Sequence, residues 1–122
     1  MLNRCIELAS QLMNRKQRVA AIITDKKGRI LSFGVNSYTK SHPKMAWYAS
    51  KFNDFNKIYL HAEIASIIAC DKKPHTMYIA RISKSGKISP SLPCRICQEA
   101  IRDAGIKEVI TTWQPLFQCV II

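Results

Sequence analysis

Leu2, Cys5, Ile6, Ala9, Leu12 and Met13 recur at the spacing of one helical face, with Arg4, Gln11 and Asn14 opposite, and predict an amphipathic helix over residues 2 to 15. The apolar run Val19 to Ile23 reads as a buried strand, Asp25-Lys26-Lys27-Gly28 as a tight turn, and Ile30 to Val35 as the strand returning beside it. The pattern weakens from Asn36 to Leu60. There His42-Pro43 interrupts any element, and Met45 to Ala49 with Phe52 and Phe55 fit a short helix or an ordered loop. His61 to Cys70 is apolar almost all round, as in a helix packed inside a layered fold, and Lys72-Lys73-Pro74 stops it. Thr76 to Ile82 is a strand followed by a polar loop. Cys94, Cys97, Ala100, Ile101 and Ala104 then mark a helix with Arg95, Gln98, Glu99 and Arg102 facing water and Gly105 at its end. Val109 to Thr112 is a further strand, and Leu116 to Ile122 supplies a last one. This order predicts an α/β fold: a mixed sheet with helices on its faces, antiparallel in the first hairpin and parallel around the two later helices.

At 122 residues the chain fits one domain spanning residues 1–122, and its 48% hydrophobic content suits a folded globule. No apolar run is long enough to span a bilayer and the first residues do not resemble a signal-peptide core, so a cytoplasmic protein without a membrane partner is expected. Five cysteines would leave one over in a disulfide scaffold. Cys5, Cys70 and Cys119 sit among apolar residues, where a free cysteine acts as a small hydrophobe. The formal charge is +11, and residues 1–60 carry eleven Lys or Arg against three acids. Such an excess either attracts phosphates and single-stranded nucleic acid or simply keeps a small protein soluble.

Two short segments carry the chemistry. His61-Ala62-Glu63 opens one helix, and Pro93-Cys94-Arg95-Ile96-Cys97 opens the other. Cysteines three apart lie over one helical turn, so both sulfurs can face one ion, and the positive helix end favours the thiolates that zinc requires. His61 adds a nitrogen from across the site. Three ligands leave the fourth tetrahedral position open, as catalytic zinc demands, whereas a structural site would want a fourth ligand, and no second close Cys/His pair is present. Zn2+ is the expected cofactor, with His61, Cys94 and Cys97 as ligands. Glu63, two residues from His61, is the candidate catalytic acid and base.

His-x-Glu followed by Pro-Cys-x-x-Cys is the known signature of zinc nucleobase deaminases, and on it the chain resembles the cytidine deaminase-like superfamily over almost its whole length. The resemblance implies a three-layer α/β/α fold, a mixed sheet of about five strands, and zinc between two helix starts. It also implies substrate contacts: the Asn36 side chain to sugar or base, the Ala62 backbone N–H to the base, and the Ser91 and Leu92 carbonyls to the leaving amine. Histidine as first ligand is similar to the deoxycytidylate, tRNA and polynucleotide branches. The short link between the last two strands is similar instead to free-cytidine deaminases, whose final pair is antiparallel. The implied activity is hydrolysis of cytosine to uracil in a nucleoside or nucleotide. The alternatives are a cytidine or adenosine deaminase acting on single-stranded DNA, RNA or tRNA, and a non-catalytic zinc-stabilised binding module. Trp47, Tyr48, Phe52, Phe55 and Tyr59 among Lys40, Lys44, Lys51 and Lys57 suit either base stacking or a satellite core. Relatives of this kind also imply a homo-oligomer.

Overall fold

Strand β1 (Arg18–Thr24) is paired on both edges inside the sheet and is buried from Ala20 onward, which is why its sequence is continuously apolar instead of alternating. The computed structural model describes residues 1–12, 17–53 and 59–112, together with the backbone of 117–120. After β1 the chain turns at Asp25, whose Oδ1 accepts the Lys27 and Arg29 backbone N–H groups at 2.9 Å each. It then returns as β2 (Ile30–Val35), antiparallel to β1.

On its other edge β1 pairs with β3 (Thr76–Ile82), again antiparallel. The two-residue β4 (Ile88–Ser89) folds back on the end of β3, an element that the sequence pattern does not show. Strand β5 (Glu108–Thr112) pairs parallel with β3, and β6 (Phe117–Val120) antiparallel with β5. The sheet order is β2-β1-β3-β5-β6, with β4 off this path. The expected parallel arrangement around both later helices therefore holds only for β3 and β5. The crossover from β2 to β3 passes over β1, which sits between them and runs the other way.

Successive residues of a strand face opposite sides, so each sheet face has its own core. On one face, Ala20, Ile22, Ala80 and Ile82 meet Cys5 and Ala9 of helix α1 (Leu2–Ser10). The helix ends at Ser10 among the described residues, and Met13 and Asn14, which the periodicity also assigns to it, lie outside them. On the other face, Ala21, Ile23, Met77, Ile79 and Val109 pack against α3 (Ala62–Ala69) and α4 (Arg95–Asp103). These layers make the expected three-layer α/β/α arrangement.

Helix α2 (Pro43–Ser50) joins the same core through Met45, Tyr48 and Ala49. His42-Pro43 starts this helix and does not interrupt it: His42 Nδ1 accepts the Lys44 N–H at 3.0 Å, and Pro43, with no N–H to satisfy, suits the first turn. Its aromatics divide, with Tyr48 in the core and Trp47 53% exposed, where the Lys51 ammonium lies 4.1 Å from its ring centre. Phe55 lies outside the described residues. Helix α3 is less enclosed than its composition suggests, since Ile68 and Ala69 face solvent. Gly105, at φ +80°, closes α4 in the left-handed conformation that glycine adopts without strain.

Candidate metal centre and active site

Both motifs cap helices. His61 is the N-cap of α3 and Cys94 the N-cap of α4, each with extended backbone, and neither spends its side chain on capping. The two side chains turn to each other instead: His61 Nδ1 lies 3.3 Å from Cys97 Sγ and 3.7 Å from Cys94 Sγ. Cys97, one turn into α4, is wholly buried. Tetrahedral zinc with ordinary Zn–N and Zn–S bonds would set nitrogen and sulfur about 3.6 Å apart, so the donor set and its spacing fit the ion. Among the described residues, His61, Cys94 and Cys97 are the one group of three ligand side chains within 4.8 Å of one another.

A hydrogen bond from the Cys97 thiol, helped by His61, holds Cys94 down to about 3, against the cost of its partial burial. The same bond pushes Cys97 up, and burial adds to it. Cys94, the less buried of the two sulfurs, is thus the one more readily held as a thiolate. Glu63 belongs to the first turn of α3 and is 7% exposed. Burial pushes its carboxyl above the ordinary carboxylate range.

These groups border a cavity of about 360 Å³. Asn36, Ala62, Ser91 and Leu92 also line it, so the structure brings every candidate ligand, catalytic and substrate-contact residue except buried Cys97 to one cavity wall, whereas of the aromatics proposed for stacking only Tyr59 lines it among the described residues. Asn36 lies just past β2 and is held by backbone: its Oδ1 accepts the Val19 N–H at 2.9 Å and its Nδ2 donates to Gln17 O at 3.0 Å. Ser91 is buried with its hydroxyl bonded to Ile79 O at 2.9 Å and Thr112 Oγ1 at 2.7 Å, while the Leu92 side chain is exposed at the rim. Thr112 Oγ1 also donates to Ser89 O at 2.7 Å. The segment leading into Cys94 is thereby tied to the ends of β3 and β5.

The sequence pattern does not reveal the bracing role of Thr112 behind Ser91, nor the places of Gln17, Ser37, Tyr38 and Arg81 in the cavity wall. For Arg81 a signal existed: it follows Met77 and Ile79 at alternate positions of an apolar strand, so its side chain had to lie on the same side as theirs.

The profile of the family described as cytidine and deoxycytidylate deaminase zinc-binding region matches residues 1–113. Among solved structures, a mutant cytidine deaminase from Mycobacterium tuberculosis is similar at TM-score 0.56 and 15% identity, covering 97% of this chain and 86% of that one. The cytidine deaminase from Mycobacterium leprae is similar at TM-score 0.58 and 15% identity, covering 98% of this chain and 89% of that one. At this identity the likeness speaks for the fold alone. No curated protein matches the sequence significantly. A mixed sheet between helices, with a histidine and two cysteines gathered at two helix starts, is the frame of a zinc-dependent deaminase. The chain belongs to the cytidine and deoxycytidylate deaminase family. Among the described residues no helix is long and apolar enough to cross a membrane.

Proposed function

We propose that the protein hydrolyses cytosine to uracil in a nucleoside or nucleotide, with release of ammonia. One observation carries this reading: Glu63 is buried at the cavity wall beside His61, Cys94 and Cys97, yet stands outside that ligand cluster. A carboxyl so placed is free to move protons. His61, Cys94 and Cys97 would hold the zinc, which when bound supplies Lewis acidity and brings the pKa of water towards neutrality.

The balance of the reaction defines the work of Glu63. Water adds its oxygen to C4 of the base, and the C4–N4 bond breaks. Glu63 takes one proton from the attacking water and gives it to N3, then delivers the next to N4 so that ammonia can leave. Its burial supports the role, because taking the carboxylate out of water raises its pKa and makes it a stronger base. The Ala62 N–H, at the start of α3 where backbone donors lack helical partners, would hold the base. The carbonyls of Ser91 and Leu92 would receive the amine, and Asn36, braced by Gln17 and Val19, would present a fixed edge to the sugar.

The test is incubation of zinc-loaded protein with cytidine, deoxycytidine, their monophosphates, and cytosine- or adenine-containing single strands. A mass gain of about one dalton in a cytosine compound, with ammonia released, is the expected result. Glu63→Ala should abolish it while zinc is retained. Turnover persisting in that variant, or conversion of adenine strands alone, would refute the reading.

A further inference from the structure

We propose that Arg81 is the anion-binding residue of this cavity and selects ligands bearing a phosphate monoester, a nucleoside monophosphate over the free nucleoside. The ligand class rests on the deaminase reading. The anion site rests on Arg81 itself.

The strand places it. Met77 and Ile79 point to the α3 and α4 side of β3, Ala80 and Ile82 to the α1 side, and Arg81 continues the first set. Its cross-strand partner is Val19, which also lines the cavity. Its backbone is fixed on both edges, pairing with Val19 and Ser89, and its N–H donates to Thr112 Oγ1 at 3.3 Å. The cation is therefore anchored in the sheet, unlike a surface lysine on a mobile stem.

Its charge is unanswered. The Arg81 Nε is buried with no hydrogen-bond partner, and no ion pair reaches the side chain among the described residues. A guanidinium whose Nε is shielded and unpartnered is unfavourable unless something else completes it. Arg81 is the one Lys or Arg among the described cavity-lining residues, and the one acid there, Glu63, sits against the metal cluster. Arg18 also has a buried, unpartnered Nε, but it pairs with Ile82 on the α1 side and lines no part of the cavity. The planar fork of N–H donors of a cavity-lining arginine matches a phosphate, which it can grip with two parallel hydrogen bonds. The cavity volume of about 360 Å³ suits one small ligand. The favoured anion is thus the terminal phosphate of a mononucleotide and not a link in a strand.

The experiment measures binding and turnover separately. Calorimetry on zinc-loaded Glu63→Ala protein compares deoxycytidine, its 5′-monophosphate and a short cytosine-containing single strand. The monophosphate should bind about 10- to 100-fold more tightly than the nucleoside, as a charge-assisted hydrogen-bonded pair would give. Adding Arg81→Gln should bring that ratio close to one, and Arg81→Lys should restore part of it as a point charge. Salt should weaken monophosphate binding with the shallow slope of a single phosphate contact. The same ratios of kcat/KM are then read with Glu63 intact. If nothing turns over but the binding ratio and its loss in Arg81→Gln persist, the deaminase reading fails and the anion site stands. A ratio near one in the parent protein, equal losses for nucleoside and monophosphate in Arg81→Gln, or tighter binding of the strand with a steep salt slope would overturn the proposal. The parent ratio needs no Arg81 variant to fold.

Discussion

Gly34 is where the sheet touches α3, the helix that carries Glu63. A Cβ built there would lie 2.5 Å from Ser66 N, 2.6 Å from Ala62 O and 2.8 Å from Ala65 Cβ. Two of these atoms are backbone, so no side chain can swing aside. Ordinary contact begins at 3.4 Å, and Gly34→Ala would have to separate β2 from α3 by 3.4 less 2.5, or 0.9 Å. The strand is pinned by its pairing with β1, so the helix gives way and carries Ala62 and Glu63 with it. Overpacking of this kind costs about 1–3 kcal/mol, and misplacing a reacting group by about 1 Å costs roughly a hundredfold in rate. Denaturant unfolding with the metal present, zinc content, and kcat for the proposed cytosine substrate together read the effect. Gly28→Ala is the control: its φ of +84° strains alanine, but no atom lies within 4 Å. It should lose about 1 kcal/mol of stability and keep its rate. Gly34→Ala with unchanged unfolding midpoint and unchanged kcat would refute the packing argument, and so would an equal rate loss in both variants.

Cys97→Ser should release zinc, since a hydroxyl is a poor substitute for a wholly buried sulfur ligand; elemental analysis after dialysis should find far less than one ion per chain, and added zinc should no longer raise the melting temperature. Cys5 is pushed up from 9.0 to about 12, chiefly by burial. The folded protein therefore keeps this proton where the unfolded chain loses it, so its stabilising contribution is whole below pH 9 and is lost as pH rises towards 12. Unfolding midpoints should fall more steeply above pH 9 in the parent than in Cys5→Ala, and parallel curves would contradict this. Tyr48→Phe removes the hydrogen bond to Asp103 Oδ2 at 3.0 Å that ties α2 to α4, and should cost about 1 kcal/mol in denaturant unfolding.

Local pattern alone determined a good deal about this protein. Alternation and apolar runs located β1, β2, β3 and β5, and helical spacing located α4, because which face a residue presents depends on its immediate neighbours. The ligand set was legible for a similar reason: one helical turn already brings Cys94 and Cys97 to the same side. Tertiary structure decided the rest. Nothing in the residues of β2 says that β1 separates it from β3, and the spacing of His61 and Glu63 does not say that the carboxyl is buried. The tight approach at Gly34 and the shielded Nε of Arg81 likewise arise between segments far apart in the chain. Pairing order and layer packing set such distances, and these are settled by the fold as a whole, where many weak contacts act together.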